Sequence, residues 1–193
     1  MRSTRISFPT SDDVLLSGSL DLPEGKPRAH ALFAHCFSCS SQSHAARRIG
    51  QALAQHGIAT LRFDFTGLGA SDGAFADSHF VANIEDLKAA VRATAGPIPL
   101  LLIGHSLGGA AAIAAANEIP SVRAIATLGA PFDPAHALRH FGYALAEIER
   151  NGAGEVQIGD QERERRKAML RRSRKRPTAI GGTIVHAGVT SKL

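Results

Sequence analysis

The sequence lacks three features, and each absence excludes a class of protein. It has only two cysteines, Cys36 and Cys39, which are too few for the disulfide scaffold of a small secreted domain. No apolar run approaches the roughly 18–20 residues that cross a bilayer. Residues 1–9 contain no apolar core of a secretory signal. We therefore expect a cytoplasmic protein that does not engage a membrane.

Acidic residues are scarce in the last part of the chain. Residues 161–193 contain 10 lysines and arginines and 2 acidic residues, a net charge of +8, whereas residues 1–160 contain 12 and 15, a net charge of −3. No aromatic side chain lies among the basic residues to stack on bases, so nothing here favours a nucleic-acid partner. We expect residues 159–193 to be a basic, poorly ordered tail, with one strand-like remnant at 183–187.

Apolar residues make up 44% of the whole chain, and before the tail short apolar runs alternate with segments of helical periodicity. This alternation predicts an α/β fold with an open, mostly parallel sheet, helices on both faces, and an N-terminal antiparallel hairpin. The predicted strands cover 5–8, 14–22, 29–34, 58–63, 99–103 and 122–128. The predicted helices cover 43–56, 83–93, 107–118 and 134–150. There are no internal repeats.

Residues 104–108, Gly-His-Ser-Leu-Gly, match the G-x-S-x-G pattern between an apolar strand and an alanine-rich helix. In that context the serine lies on a sharp turn above the sheet, and the helix N-terminus favours negative charge beside its hydroxyl. A chance match in a glycine-rich chain is the alternative. We predict that Ser106 is a nucleophile.

Acyl transfer also needs hydrogen-bond donors for the oxyanion. The amide of Leu107, which follows the nucleophile, supplies one. The second is expected from the loop at 35–40, from Phe37 or else Cys36. The C-x-x-C pattern there could also serve redox chemistry or a zinc site, but no second pair of ligands has the spacing of a zinc finger. We expect no metal and no cofactor, and assign the cysteines to packing beneath this loop.

A glycine-rich segment at 64–73 follows the second parallel strand. We expect Asp64 to bind local backbone amides and shape this loop rather than to serve as the catalytic acid. His105 and His56 are interpreted as structural residues.

The segments at 32–37, 61–73, 104–109 and 126–131 resemble the α/β-hydrolase superfamily. The branch is that of serine aminopeptidase-like proteins and small esterases, and the chain is similar to the hydrolase half of bacterial fusions with an OsmC-like domain. The resemblance covers about residues 1–158, which we take as the hydrolase core. It implies a nucleophile, an acid and a histidine in that chain order.

Ser106 matches the family's nucleophile, but the late acid and histidine have no counterpart, so we expect the last strands to be missing. The simplest hypothesis is a truncated or frame-shifted C-terminus after about residue 159. Asp133 and His136 are the candidate acid and base, with His140 or His186 as other bases; alternatively, Asp133 caps a helix. The terminal Ser-Lys-Leu at 191–193 matches a peroxisomal signal, which we treat as coincidence.

Two functions remain open. One is a serine hydrolase acting on a small ester, amide or peptide bond, with a small-molecule substrate. The other is a catalytically impaired or non-catalytic α/β-hydrolase-like fragment. The sequence leaves substrate identity and oligomeric state open.

Overall fold

The computed structural model describes most of the first 132 residues and a few later segments. It covers residues 2–36, 39–74, 80–94, 96–132, 150, 153–158, 166–171 and 184–187, and after residue 150 only the backbone is described. No helix within these residues is long and apolar enough to cross a membrane.

The chain begins with the predicted antiparallel hairpin. Strand β1 (Arg2–Pro9) pairs with β2 (Leu15–Leu22) along its whole length, in a register that places Phe8 opposite Leu16. Both side chains are buried, because they share the face that packs against the interior. The hairpin is therefore held by apolar burial on one face.

Four parallel strands form the centre of the sheet, as the sequence predicted. They are β3 (Ala29–Ala34), β4 (Ile58–Phe63), β5 (Leu100–His105) and β6 (Val122–Leu128). The spatial order is β1-β2-β4-β3-β5-β6, with only β1 and β2 antiparallel to their neighbours. Because β3, β4 and β5 are adjacent and parallel, their carboxyl ends lie side by side at one end of the sheet.

Among the described residues, three helices cover the two faces, and the predicted helix at 134–150 lies outside them except for Arg150. Helix α1 (His44–Gln55) begins at Ser43, whose hydroxyl accepts a hydrogen bond from the Ala46 amide, and it packs on the face that carries Ala31 and Phe33. Helices α2 (Phe80–Ala93) and α3 (Leu107–Ala116) cover the opposite face, which carries Leu32, Leu61 and Leu102. Each of these leucines is fully buried and contributes roughly 1.5–3 kcal/mol by leaving water.

Strands also occur in the C-terminal region. Strands β7 (Ala153–Ile158) and β8 (Arg166–Arg171) form a separate antiparallel pair. Strand β9 (Ile184–Ala187), the predicted strand-like remnant, adds in parallel to β6 and becomes the seventh strand of the main sheet. The sequence predicted this remnant but also that the last strands would be missing; the sheet instead gains one strand there, because β-branched Ile184 and Val185 suit pairing with the open edge of β6.

Candidate active site

Ser106 lies on a sharp turn between β5 and α3. Its backbone has φ 52° and ψ −122°, a positive φ that few residues other than glycine adopt. Strain of this kind costs about 1–3 kcal/mol and persists only where the surrounding structure holds it. The Ser106 amide donates to the carbonyl of Leu128 at 2.8 Å, which fixes the turn to the end of β6. The side chain makes no capping hydrogen bond to α3, so its hydroxyl is not committed to the helix.

Three glycines around Ser106 allow backbone segments to approach closely. A Cβ at Gly108 would overlap the carbonyl oxygens of Ala34 and His35, and one at Gly104 would overlap the backbone of Gly109. A Cβ at Gly109 would lie 2.8 Å from that of Ala130. The N-terminus of α3 therefore packs directly against the end of β3.

This packing bears on the two predicted oxyanion donors. Leu107 is the first residue of α3, where an amide has no acceptor within the helix, and it is partly exposed at the elbow. Phe37 lies outside the described residues. Cys36, the alternative donor, directly follows the His35 carbonyl that Gly108 approaches. The roles of Leu107 and Phe37 stay predictions.

His35 is the first residue of the predicted oxyanion loop, and it is 1% exposed. Its Nδ1 is 2.6 Å from the carbonyl oxygen of Cys36, and its Nε2 is 3.5 Å from Oδ1 of Asp64. The ring stands edge-on to Phe65, with centroids 5.1 Å apart. Both ring nitrogens thus face acceptor oxygens, and the ring connects the loop after β3 to the loop after β4.

Asp64 shapes its own loop, as predicted, and also binds the loop after β3. Its Oδ1 accepts from the amide of Ser41 at 2.6 Å, and its Oδ2 accepts from the amide of Ala70 at 3.1 Å. Burial alone would raise the pKa of this carboxyl, but His35 and the two amides favour the charged form, so the pKa of Asp64 lies below its ordinary value of 3.8. The prediction that Asp64 shapes its loop is confirmed.

A buried ion pair between Arg62 and Asp21 also holds the loop that contains Ser41. Arg62 donates from Nε and Nη2 to the two carboxylate oxygens of Asp21, at 2.6 and 3.0 Å. Its Nη1 donates to the carbonyl of Ser41 at 2.6 Å. Because the guanidinium is planar and all three contacts use its fixed fork, this pair defines the position of Ser41 tightly.

The two cysteines lie close to the residue that precedes Ser106. Cys36 and Cys39 are joined by a disulfide, with Cα atoms 5.2 Å apart, whereas the sequence assigned them to packing alone. Their sulfurs and a ring nitrogen of His105 all lie within 4.8 Å of one another. His105, which was interpreted as structural, is exposed at the end of β5. The two cysteines form a disulfide rather than only packing together because the C-x-x-C spacing places both sulfurs in one turn.

The candidate acid and bases all follow β6 in the chain. Asp133, His136 and His140 lie outside the described residues. The backbone of His186 lies in β9 opposite Thr127, near the carboxyl end of the parallel strands. Ser106 lies at the same end of the sheet.

Sequence reasoning missed the Arg62–Asp21 pair and two further contacts of the site. The His35–Asp64 pair could have been found, because Ala34 and Phe63 are register partners and the next residue on each strand is therefore equivalent. The other is Asp86 on α2, which accepts from the amide and hydroxyl of Thr66 at 2.8 and 2.9 Å. No local signal marks that contact, since it depends on where α2 packs.

Comparisons with known proteins agree with this architecture. The family model "Serine aminopeptidase, S33" matches residues 25–191, a span that includes β7, β8 and β9. A search of the curated proteins found no match.

Solved structures give the same result. The esterase domain of a Rhodothermus marinus protein is 48% identical, with a TM-score of 0.58 over 72% of this chain and 57% of that one. A Xanthomonas campestris protein described as an α/β serine hydrolase without a lid is 25% identical, with a TM-score of 0.60 over 68% and 63%. Est1E from Butyrivibrio proteoclasticus, solved with ferulic acid, shares the fold at 24% identity and a TM-score of 0.65, over 84% and 66%.

The chain thus spans about three fifths of the esterase domain and the Xanthomonas hydrolase. The match to the family model over most of the chain, the identity to the esterase domain and the strand–turn–helix around Ser106 lead to one conclusion. The chain belongs to the serine aminopeptidase (S33) family of α/β hydrolases.

Proposed function

We propose that this chain hydrolyses a small ester, amide or peptide bond through an acyl-enzyme on Ser106. The observation that carries the proposal is the positive φ of Ser106 at the turn between β5 and α3. A strained backbone at a serine whose side chain makes no capping hydrogen bond is typical of an active-site residue, and the carboxyl ends of parallel strands are where such sites lie.

The proposed reaction begins when Oγ of Ser106 attacks the substrate carbonyl carbon. The oxyanion that forms accepts hydrogen bonds from the amides of Leu107 and of Phe37 or Cys36. The leaving group departs with a proton, and water then hydrolyses the acyl-enzyme and regenerates the hydroxyl. One such donor contributes about 10²–10³ in rate elsewhere, so the packing of α3 against β3 is central to the proposal.

A histidine must take the proton from Ser106 for full activity. We propose His136 oriented by Asp133, with His140 and His186 as alternatives. The pairing of β9 with β6 supports His186, because it places this residue near the end of the sheet where Ser106 lies. Ester substrates are the first choice for assays, because alkoxide leaving groups need less protonation than amines and the 48% identical relative is an esterase domain.

The test is covalent labelling with a fluorophosphonate probe. We expect wild type to be labelled, Ser106→Ala to be unlabelled, and Ser121→Ala, which removes an exposed serine at the other end of the sheet, to be labelled like wild type. Alanine variants of His136, His140 and His186 identify the base as the one that slows labelling by orders of magnitude. Folded wild type that takes up no probe supports the non-catalytic alternative instead.

A further inference from the structure

We infer that Cys36, Cys39 and His105, once the disulfide is reduced, bind a thiophilic divalent cation such as Zn²⁺ beside Ser106. The sequence argued against zinc because no second pair of ligands has the spacing of a zinc finger. The fold supplies a third donor from a distant position, since β3 and β5 are adjacent and parallel, and the His105 ring reaches the sulfurs.

The donor set suits zinc by chemistry and by spacing. Two thiolates and an imidazole are ligands that Zn²⁺ prefers, and three protein ligands leave a fourth position for water. Tetrahedral coordination with the usual Zn–S and Zn–N bond lengths places ligand atoms roughly 3.5–3.8 Å apart. The His105 nitrogen lies within 4.8 Å of both sulfurs, which can separate only after the disulfide is reduced. Rotation of the two cysteine side chains and a shift of His105 by about 1 Å would then bring the three atoms to this spacing.

The turn that carries the cysteines is held independently of the disulfide. The amide of Cys39 donates to the carbonyl of Cys36 at 3.0 Å, and the buried His35 ring nitrogen contacts that same carbonyl oxygen at 2.6 Å. These two contacts keep the sulfurs on one side of the turn when the S–S bond opens. The backbone therefore holds the two cysteines near each other without the disulfide. A cation can reach them from solvent because Cys39 is half-buried and His105 is exposed.

The chemistry balances with a dithiol as reductant. The dithiol gives two electrons and two protons to the Cys36–Cys39 bond, leaving two thiols on the protein and a disulfide on the reductant. Binding of Zn²⁺ then releases the two thiol protons to solvent. Disulfide and bound metal are thus mutually exclusive states of the same residues.

The experiment uses the full chain with Co²⁺ as a spectroscopic probe and Zn²⁺ as its competitor. After reduction by a phosphine, with two thiols per chain counted chemically, we expect one Co²⁺ per chain with thiolate charge-transfer absorption that Zn²⁺ abolishes. The oxidised protein should bind none. His105→Asn should weaken binding at least about tenfold, because loss of outer-shell partners alone costs about 10–100-fold. His56→Gln, at the far end of α1, should bind like wild type.

Several outcomes overturn the inference. They are reduced wild type that binds no Co²⁺, His105→Asn that binds as tightly as wild type, and circular dichroism showing that reduction alone unfolds the chain. Cys39→Ser, which spares the buried Cys36, should lose most of the charge-transfer intensity, and full retention counts against the site. Metal binding is measured without hydrolysis. A failed fluorophosphonate test therefore does not contradict the metal site, and a failed metal-binding test does not contradict the proposed hydrolysis.

Discussion

Two adjoining regions form the candidate active site, and they are built by different physics. The elbow at 104–109 contains no acidic or basic side chain except the exposed His105, and its shape depends on strain at Ser106 and on glycines pressed against backbone. The loops at 35–41 and 64–70 depend on buried charge, through the pairs Arg62–Asp21 and His35–Asp64. We therefore expect the elbow to respond to side-chain size, and the loops to respond to charge and pH.

The largest effect on stability is expected from Arg62→Met. This change leaves the carboxylate of Asp21 buried without its partner, which costs about 3–5 kcal/mol. The double variant Asp21→Leu/Arg62→Met should recover most of that loss, because no charge remains buried. Urea unfolding measures both, and a single variant that loses less than about 1 kcal/mol would contradict the charge-based account of the loops.

At the elbow, Gly108→Ala should be the most damaging change of size. The added methyl group overlaps the carbonyl oxygens of Ala34 and His35, which belong to backbone and cannot rotate away. We expect a loss of about 1–3 kcal/mol or more in the free energy of unfolding, together with slower probe labelling of Ser106. Gly96→Ala is the matched control, since its Cβ would meet nothing within 4 Å. Equal behaviour of the two variants would refute the packing argument.

Asp64→Asn should show a dependence on pH that the glycine variants lack. Because the pKa of Asp64 is lowered in the folded state, its stabilisation is present above pH 3.8 and is lost as the pH falls through the lowered pKa. The gap in unfolding free energy between wild type and Asp64→Asn should therefore narrow in acid. Asp12→Asn, in an exposed turn, should stay within about 0.5 kcal/mol of wild type. A gap that widens in acid would reverse the assigned sign.

The smallest effect is a gain. Ser106→Gly relieves the positive φ, worth about 1–3 kcal/mol, and adds roughly 0.5–1 kcal/mol of backbone entropy cost. Ser106→Ala removes the same hydroxyl but keeps the strain. Thermal unfolding should place the glycine variant about 1 kcal/mol above the alanine variant. If alanine is the more stable of the two, the turn does not store strain.

The contrast between local patterns and packing of distant segments explains how much of the structure could be predicted from the sequence. Apolar runs and helical periodicity predicted the hairpin, the four parallel strands and three helices, because these depend on local patterns. The G-x-S-x-G context predicted the turn at Ser106 for the same reason. The Thr66–Asp86 contact and the approach of His105 to the cysteines depend on packing between distant segments, which a local pattern does not encode.

Trapping of the acyl-enzyme tests the central claim most directly. The protein is mixed with a small chromogenic ester, quenched in acid within the first turnover, and digested for peptide mass spectrometry. We predict an acyl group on the peptide that contains Ser106, and none on the Ser106→Ala protein. An acyl group on another residue, such as a cysteine of the 36–39 turn, or colour release with no adduct at Ser106, would contradict the account.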